Sequence, residues 1–379
     1  MKILHVVHVP FAIPYFLGDQ LKYFKDQYNI EIHIACSPSE VFYSYSKKWD
    51  FIPFELNIKR KISIITDLIS IFKLVIYIKI NKFNVVVSHS PKGALIGTIA
   101  AYICGIDKNI YVRHGLFYET SSGFKLKIFK TFERIVSFFS SKVICVSKSI
   151  LEKSISDNIT NENKMILINK GSFNGIDTKV KFNPINFSED LIQTLRNKYN
   201  ISRNDIVIGY VGRISKDKGI VELYQAWKLL KTKINNIKLI LIGPLDERNA
   251  IENIYLEKIR NDNSIILTDL IINTAPFYKL MHIFILPSYR EGFPTVVLEA
   301  SSMELPVITT KKTGCIDSII ENETGMFVNI SPLDISNVIS HYINNPVLRN
   351  MHGKMGRKFV VENFEQTLMW EYLYRKLYS

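Results

Sequence analysis

Only four cysteines occur, Cys36, Cys104, Cys145 and Cys315, and no two of them form a CxxC pair. That spacing excludes a cysteine-based structural zinc site and a disulfide framework, and it suits a reducing cytoplasm. No D-x-D is present, so the usual carboxylate pair for a Mg²⁺ or Mn²⁺ diphosphate complex is missing. Neither G-x-G-x-x-G nor the Walker pattern is found, which removes the two commonest phosphate loops. The longest apolar segment, Ile62 to Ile80, is interrupted by Asp67, Lys73 and Lys79, whereas a membrane span needs about 20 nearly uncharged residues. Met1 to Val9 carries one lysine and two histidines and reads as a first strand rather than a signal-peptide core. Helix-turn-helix, zinc-finger and RNA-binding signatures are lacking, which counts against nucleic acid as a partner despite a pI of about 9.3.

What is there describes a folded protein. Of 379 residues, 47% are hydrophobic and 22% charged, enough apolar material for buried cores, and the length predicts two domains. The net charge of +13 is uneven: residues 1–180 hold 24 basic and 14 acidic side chains, and residues 51–150 hold 15 and 5. The first half therefore faces something anionic, and an acidic membrane surface, a phosphorylated substrate or nucleic acid would each satisfy the charge alone. Within Ile62 to Ile80, Ser63, Thr66, Asp67, Ser70 and Lys73 recur at three- and four-residue steps, a polar stripe on an otherwise apolar helix. A strand follows at once, so an ordinary core helix is expected there, with a membrane-surface helix as the alternative.

Short β-branched runs alternate with amphipathic stretches: KILHVVHV, IEIHIAC, NVVVSHS, NIYVRHG, KVICVS and MILINK, then IVIGYVG, IKLILIG, SIILTD, IFILPS and PVITT. Alternation of this kind predicts an α/β chain with parallel sheets wrapped by helices. An Asn-rich segment interrupts the rhythm. The expected organisation is a first Rossmann-like domain over 1–180, a linker over 181–204 and a second Rossmann-like domain over 205–356. A C-terminal helix at about 357–379 is expected to pack back on the first. Such sheets bind ligands at the carboxyl ends of their strands, so two facing domains would enclose a cleft.

Two motifs carry chemistry. In GYVGRISKDKGI a strand ends at Gly212, a loop carries Arg213, Lys216 and Lys218, and a helix begins near Gly219. Free N–H groups and partial positive charge at a helix start, beside Arg213 and Lys218, could clamp a diphosphate; the plainer reading is a solvated basic turn. In ILPSYREGFPTVVLEASSMELP, proline is placed where a first helical turn accepts it, so a helix starts near Pro294 or Thr295. Glu291 then lies at the helix mouth and Glu299 one to two turns inside. Free amides from Gly292 through Phe293 and Thr295 to Val296 line the space between. Carboxylates are good acceptors for the vicinal hydroxyls of ribose or a hexose, although two surface glutamates at this spacing are common.

GYVGRISKDKG followed some 80 residues later by LPSYREGFPTVVLEA resembles family 4 of the retaining glycosyltransferases, of GT-B fold. SHSPKGALIG, YVRHG, VICVSKSI, FNGID and KTGCIDSIIENETGMFV extend the resemblance over most of the chain. It implies that Arg213 and Lys218 hold the donor diphosphate, that Glu291 contacts the transferred sugar and that Glu299 binds the donor ribose. It also implies that Gly292, Phe293, Pro294 and Thr295 belong to the donor site. His114 in YVRHG matches a histidine that in relatives points toward the donor sugar; a hydrogen-bonded structural histidine is the alternative. One departure is HVPFAIPYFLGDQL after the first strand, which lacks the paired glycines many members carry there.

The resemblance further implies transfer of a hexose or N-acetylhexosamine from a nucleotide-diphosphate sugar, UDP by family habit with GDP as the alternative. The acceptor it implies is an undecaprenyl-diphosphate-linked saccharide in bacterial surface polysaccharide assembly. Front-face attack is expected, with protein cations in place of a metal, no cofactor, and a cytoplasmic enzyme peripheral to the inner face of an anionic membrane. A GT-B sugar-nucleotide epimerase or hydrolase is the enzymatic alternative, and a nucleic-acid-binding protein the non-enzymatic one.

Overall fold

The β-branched runs form two parallel sheets in a computed structural model that describes residues 1–59 and 63–378. The first residue of the apolar segment 62–80, and residue 379 at the end of the expected C-terminal helix, lie outside the described residues. The chain divides into two units. Unit 1 is Met1–Asn174 together with the residues from Met369 onward; unit 2 is Gly175–Leu368.

Unit 1 holds strands β1 (Lys2–Val6), β2 (Glu31–Cys36), β3 (Ile52–Glu55), β4 (Val85–His89), β5 (Lys108–Arg113), β6 (Lys142–Cys145) and β7 (Met165–Leu167). Their order is β3-β2-β1-β4-β5-β6-β7, all parallel. Unit 2 holds β8 (Ile206–Val211), β9 (Ile237–Ile242), β10 (Ile265–Thr268), β11 (Ile283–Leu286), β12 (Val307–Thr310) and β13 (Gly325–Val328), in the order β10-β9-β8-β11-β12-β13. Both are doubly wound, and in each the order reverses at one place: between β1 and β4, and between β8 and β11. Open α/β sheets bind ligands outside the carboxyl ends of the strands at that point. Nearly every residue of the central strands is buried, as expected of a sheet covered on both faces.

The segment 181–204, expected as a linker, is part of unit 2. Phe182, Ile192 and Ile201 are buried in its core, and the helix Glu189–Lys198 packs on the helix Ala275–Leu280. Three apolar anchors outweigh a polar, Asn-rich composition.

The helix Ile64–Asn81 meets the expectation of a core helix on one side only. Asp67 and Ser70 of its polar stripe face inward, whereas Lys73 is exposed: Asp67 pairs with Lys92, both buried, and the Ser70 hydroxyl donates to the Asn57 carbonyl at 2.9 Å. Leu74 and Ile78 are buried beside them, while Ile65 (75% exposed), Leu68, Ile69, Phe72 (66%), Ile76 and Ile80 (72%) form an outward apolar face. The helix Pro91–Ile103 packs between it and the helix Gly123–Phe139, which also exposes Phe124, Ile128, Ile135 and Phe138. Among the described residues no helix is long and apolar enough to cross a membrane.

Candidate active site

β8 and β11 are sheet neighbours, so the loops leaving them meet although some 80 residues separate their motifs. The first loop turns at Gly212 and runs through a single 3-10 turn, Lys216–Lys218, into the helix Ile220–Lys231. Gly219 at the junction has φ +70°, and a Cβ there would stand 2.2 Å from the Pro287 carbonyl oxygen at the end of β11. Only glycine lets the two loops approach this closely. The Tyr289 amide donates to the Asp217 carbonyl at 3.0 Å, and the Tyr289 hydroxyl to Glu222 at 2.6 Å, tying the loops together.

Lys218 and Glu291 form an ion pair across this junction, their side chains only 14% and 13% exposed. Glu291 also accepts a 2.7 Å bond from the Ser288 hydroxyl, and its amide donates to the Thr313 carbonyl at 2.9 Å. Gly314 sits at φ +77°, where a Cβ would fall 2.5 Å from the Gly292 oxygen, so the 312–315 loop rests directly on the Glu291–Gly292 backbone. The carboxylate is thus aimed by two loops.

Arg213 is not a free cation. It pairs with Asp246 and with Asp217, the latter at 3.4 Å, while about half of its side chain meets solvent. Burial would raise the Asp217 carboxyl, but the Ser215 hydroxyl at 2.5 Å, Arg213 and Lys218 outweigh it and hold it below the usual range. Arg290 approaches the same carboxylate at 3.9 Å. Three cations, Arg213, Lys218 and Arg290, therefore surround Asp217 and Glu291, and an arriving diphosphate can exchange with the carboxylates as a partner of the same charge and similar oxygen geometry.

The expected helix runs Thr295–Ser302 with buried Pro294 as its N-cap and no side-chain cap. The amides of Gly292, Phe293, Thr295 and Val296 have no hydrogen-bond partner among the described residues, leaving donors for an anion or sugar oxygen. Phe293 itself turns inward, its ring 5.3 Å from that of Phe364, so its backbone N–H is what it can offer. Glu299 lies one turn into the helix, not in contact with Glu291. It accepts a 2.7 Å bond from the Tyr278 hydroxyl, and loss of water around it pushes its carboxyl up to about 7, against the opposing pull of Tyr278 and Lys181.

That shift has a consequence for stability. Glu299 keeps in the folded chain a proton that the unfolded chain releases near 4.5, so its stabilising contribution is complete below about pH 4.5 and is lost as pH rises through about 7. Glu299→Gln is expected to melt higher than the parent at pH 8, by about 1–2 kcal/mol after allowing for partial solvent contact, and to match it at pH 4. Equal melting curves at both pH values would remove the case for a strained carboxylate.

His114 is in unit 1, one residue beyond β5. Its Nε2 lies 3.0 Å from Nδ1 of His89, and its ring stacks on Phe16 at 3.7 Å. Phe16 comes from HVPFAIPYFLGDQL, which folds as a 3-10 turn, Pro10–Ala12, and a short helix, Ile13–Phe16, where a glycine pair was the common alternative. Sequence reading missed Asp217, Asp246, Ser288 and Tyr278, and also His5 and His89. His89 had a signal: like His114, it stands near the carboxyl end of a predicted strand.

Family models match both halves of the sequence, Glycosyl transferase 4-like over residues 5–147 and Glycosyl transferases group 1 over residues 192–359. The chain is 38% identical over 375 residues to the capsular polysaccharide biosynthesis glycosyltransferase CapM of Staphylococcus aureus, covering 98% of this chain and 95% of that protein. It is 25% identical over 342 residues to the UDP-Gal:alpha-D-GlcNAc-diphosphoundecaprenol alpha-1,3-galactosyltransferase of Escherichia coli, covering 88% and 85%. Among solved structures, Anabaena Alr3699/HepE in complex with UDP-glucose matches with a TM-score of 0.82 at 16% identity over 100% of this chain and 99% of that one, a likeness of fold.

Proposed function

The chain belongs to the family 4 glycosyltransferases of GT-B fold, and from that premise we propose that it moves a hexose or N-acetylhexosamine from a UDP-sugar to an undecaprenyl-diphosphate-linked saccharide, with retention of configuration. The observation that carries the donor site is the Lys218–Glu291 pair, set at the strand-order reversal of unit 2 in front of an uncapped helix start. UDP-glucose in the Anabaena structure supports the nucleotide, and the acceptor printed in the name of the Escherichia coli relative supports the lipid diphosphate.

In this reading Arg213 and Lys218 take the donor diphosphate, the amides of 292–296 share its charge, Glu291 meets the sugar and Glu299 the ribose. Bond breaking between the anomeric carbon and the phosphate oxygen leaves charge on the diphosphate, where these cations and N–H groups already point. The acceptor hydroxyl attacks from the same face, and its proton passes to the departing phosphate oxygen. His114 is proposed as a further sugar-contacting residue by its match to the family pattern. Protein cations supply the positive charge, so transfer is expected to survive a chelator. A panel of nucleotide sugars in thermal shift tests the donor: a hundredfold excess over Kd adds about 2.7 kcal/mol to the folded state. UDP-sugars are expected to raise the melting temperature, and no response to any nucleotide sugar would count against the reading.

The outward apolar face of the helix Ile64–Asn81, with Lys73 and Lys79 exposed on it, supports an anionic membrane surface as the second partner. Replacing Ile69 and Phe72 by serine removes two side chains worth about 1.5–3 kcal/mol each when buried in lipid. Flotation with anionic vesicles is expected to fall at least tenfold, whereas unchanged flotation would place membrane contact elsewhere.

A further inference from the structure

In unit 1 the strand-order reversal carries a line of three histidines. His5 on β1 pairs in register with Val87 on β4, and His89 stands two residues further along β4, on the same face. His89 pairs with Val112 on β5, and His114 stands two residues beyond that. Each step across the sheet moves one side-chain repeat toward the carboxyl end, so the three imidazoles meet edge to edge. His5 Nδ1 lies 3.0 Å from His89 Nε2, and His89 Nδ1 lies 3.0 Å from His114 Nε2. Phe16 stacks over His114 and His89, and Phe173 closes on both edge-on at 5.4 and 5.9 Å.

His5 and His89 are fully buried, whereas His114 is partly exposed. Burial pushes His5 and His114 down to about 3 and His89 well below the ordinary imidazole range, the last with help from its two neighbours, so all three rings are neutral. A neutral ring has one N–H and one lone pair, so the direction of one hydrogen bond dictates the next. If the protons point outward, His5 Nδ1–H donates to His89, His89 Nδ1–H donates to His114, and His114 is left with its proton on Nδ1. If they point inward, the series ends with an N–H on His5 Nε2, an atom that is buried and without a hydrogen-bond partner among the described residues. An orphaned buried N–H is costlier than a buried lone pair, so the outward order wins.

We propose that His5 and His89 are positioning residues that fix His114 as a hydrogen-bond donor through Nδ1, which assigns it to an oxygen lone pair of a bound saccharide or phosphate and excludes it as a base at that atom. The assignment rests on reading His114 as a sugar-contacting residue, but its test needs neither donor nor acceptor. If the histidine line fails, glycosyl transfer stands; if transfer fails, the tautomers still stand.

Long-range ¹H–¹⁵N spectra of the full chain labelled at its eight histidines, at neutral pH, read which nitrogen of each ring holds the proton. The expected result is Nδ1–H on His5, His89 and His114, with nitrogen–nitrogen couplings across both contacts. His89→Ala opens a polar space that water can enter, so the coupling to His114 is lost and His114 becomes a mixture of tautomers. A merely structural His89 would leave the His114 tautomer unmoved, and that result would overturn the proposal. So would an Nε2 proton on His114 in the parent chain, which decides the question even if the variant does not fold.

Discussion

Lys218→Ala is expected to lower kcat by about 10²–10³-fold, with a smaller rise in KM for the nucleotide sugar. The asymmetry follows from when the charge is needed. On the proposed assignment, the ground-state donor diphosphate already carries charge that Arg213 and the amides of Gly292, Phe293, Thr295 and Val296 would share. The extra negative charge would then develop as the glycosidic bond breaks, beside Lys218 where it pairs with Glu291. The substitution also strands Glu291, a largely buried carboxylate left with the Ser288 hydroxyl as its side-chain partner. Some loss of stability is therefore expected, and Glu291→Gln in the same chain should recover part of it, because the two effects share one pair. Steady-state kinetics and melting curves on the two single variants and the double variant separate the roles. A kcat within threefold of the parent would remove Lys218 from the reaction.

Glu299→Ala is expected to weaken donor binding by about 10–150-fold while kcat at saturating donor changes little, the range that about 1.5–3 kcal/mol for charge-assisted hydrogen bonds gives. Its pH dependence carries the sharper information. Burial pushes the free carboxyl up to about 7, and on the proposed assignment ribose hydroxyls donating to it would favour its charged form, so donor binding is expected to lower that value and release a proton. Affinity for the UDP-sugar is therefore expected to rise between about pH 5 and pH 8 and then level off. Glu299→Gln should flatten this slope. Calorimetric titration in buffers of different ionisation enthalpy measures the released proton, and equal affinity for parent and Glu299→Ala would break the ribose assignment.

Much of this site was legible in the sequence because its parts are local. The turn from Gly212 to Gly219 and the strand–loop–helix from Ile283 to Ser302 each lie within about 20 residues and fold as read. The partners were not legible, because they depend on which strands are neighbours. Asp246 follows β9, and it reaches Arg213 only because β9 lies beside β8. Tyr278 reaches Glu299 from a separate helix. β3 escaped notice as a four-residue edge strand containing Pro53, too short for its periodicity to register. The helix Ile64–Asn81 misled in a different way. Its polar stripe was visible, but a stripe does not say which side faces water. The buried Asp67–Lys92 pair decides that, and Lys92 belongs to another helix. The histidine line escaped for the same reason as Asp246, since only the register of three strands brings its members together.

The central claim is transfer of a glycosyl group, and one measurement meets it directly. The purified full chain is incubated with a UDP-hexose or UDP-N-acetylhexosamine and an undecaprenyl-diphosphate-linked saccharide in anionic vesicles, and the lipid product is analysed by mass and by the anomeric coupling of the new residue. The predicted result is one added sugar with the donor's anomeric configuration kept, and its loss in Lys218→Ala. Donor consumed to free sugar or to an isomeric nucleotide sugar, with the lipid acceptor unchanged across the panel, would contradict the account.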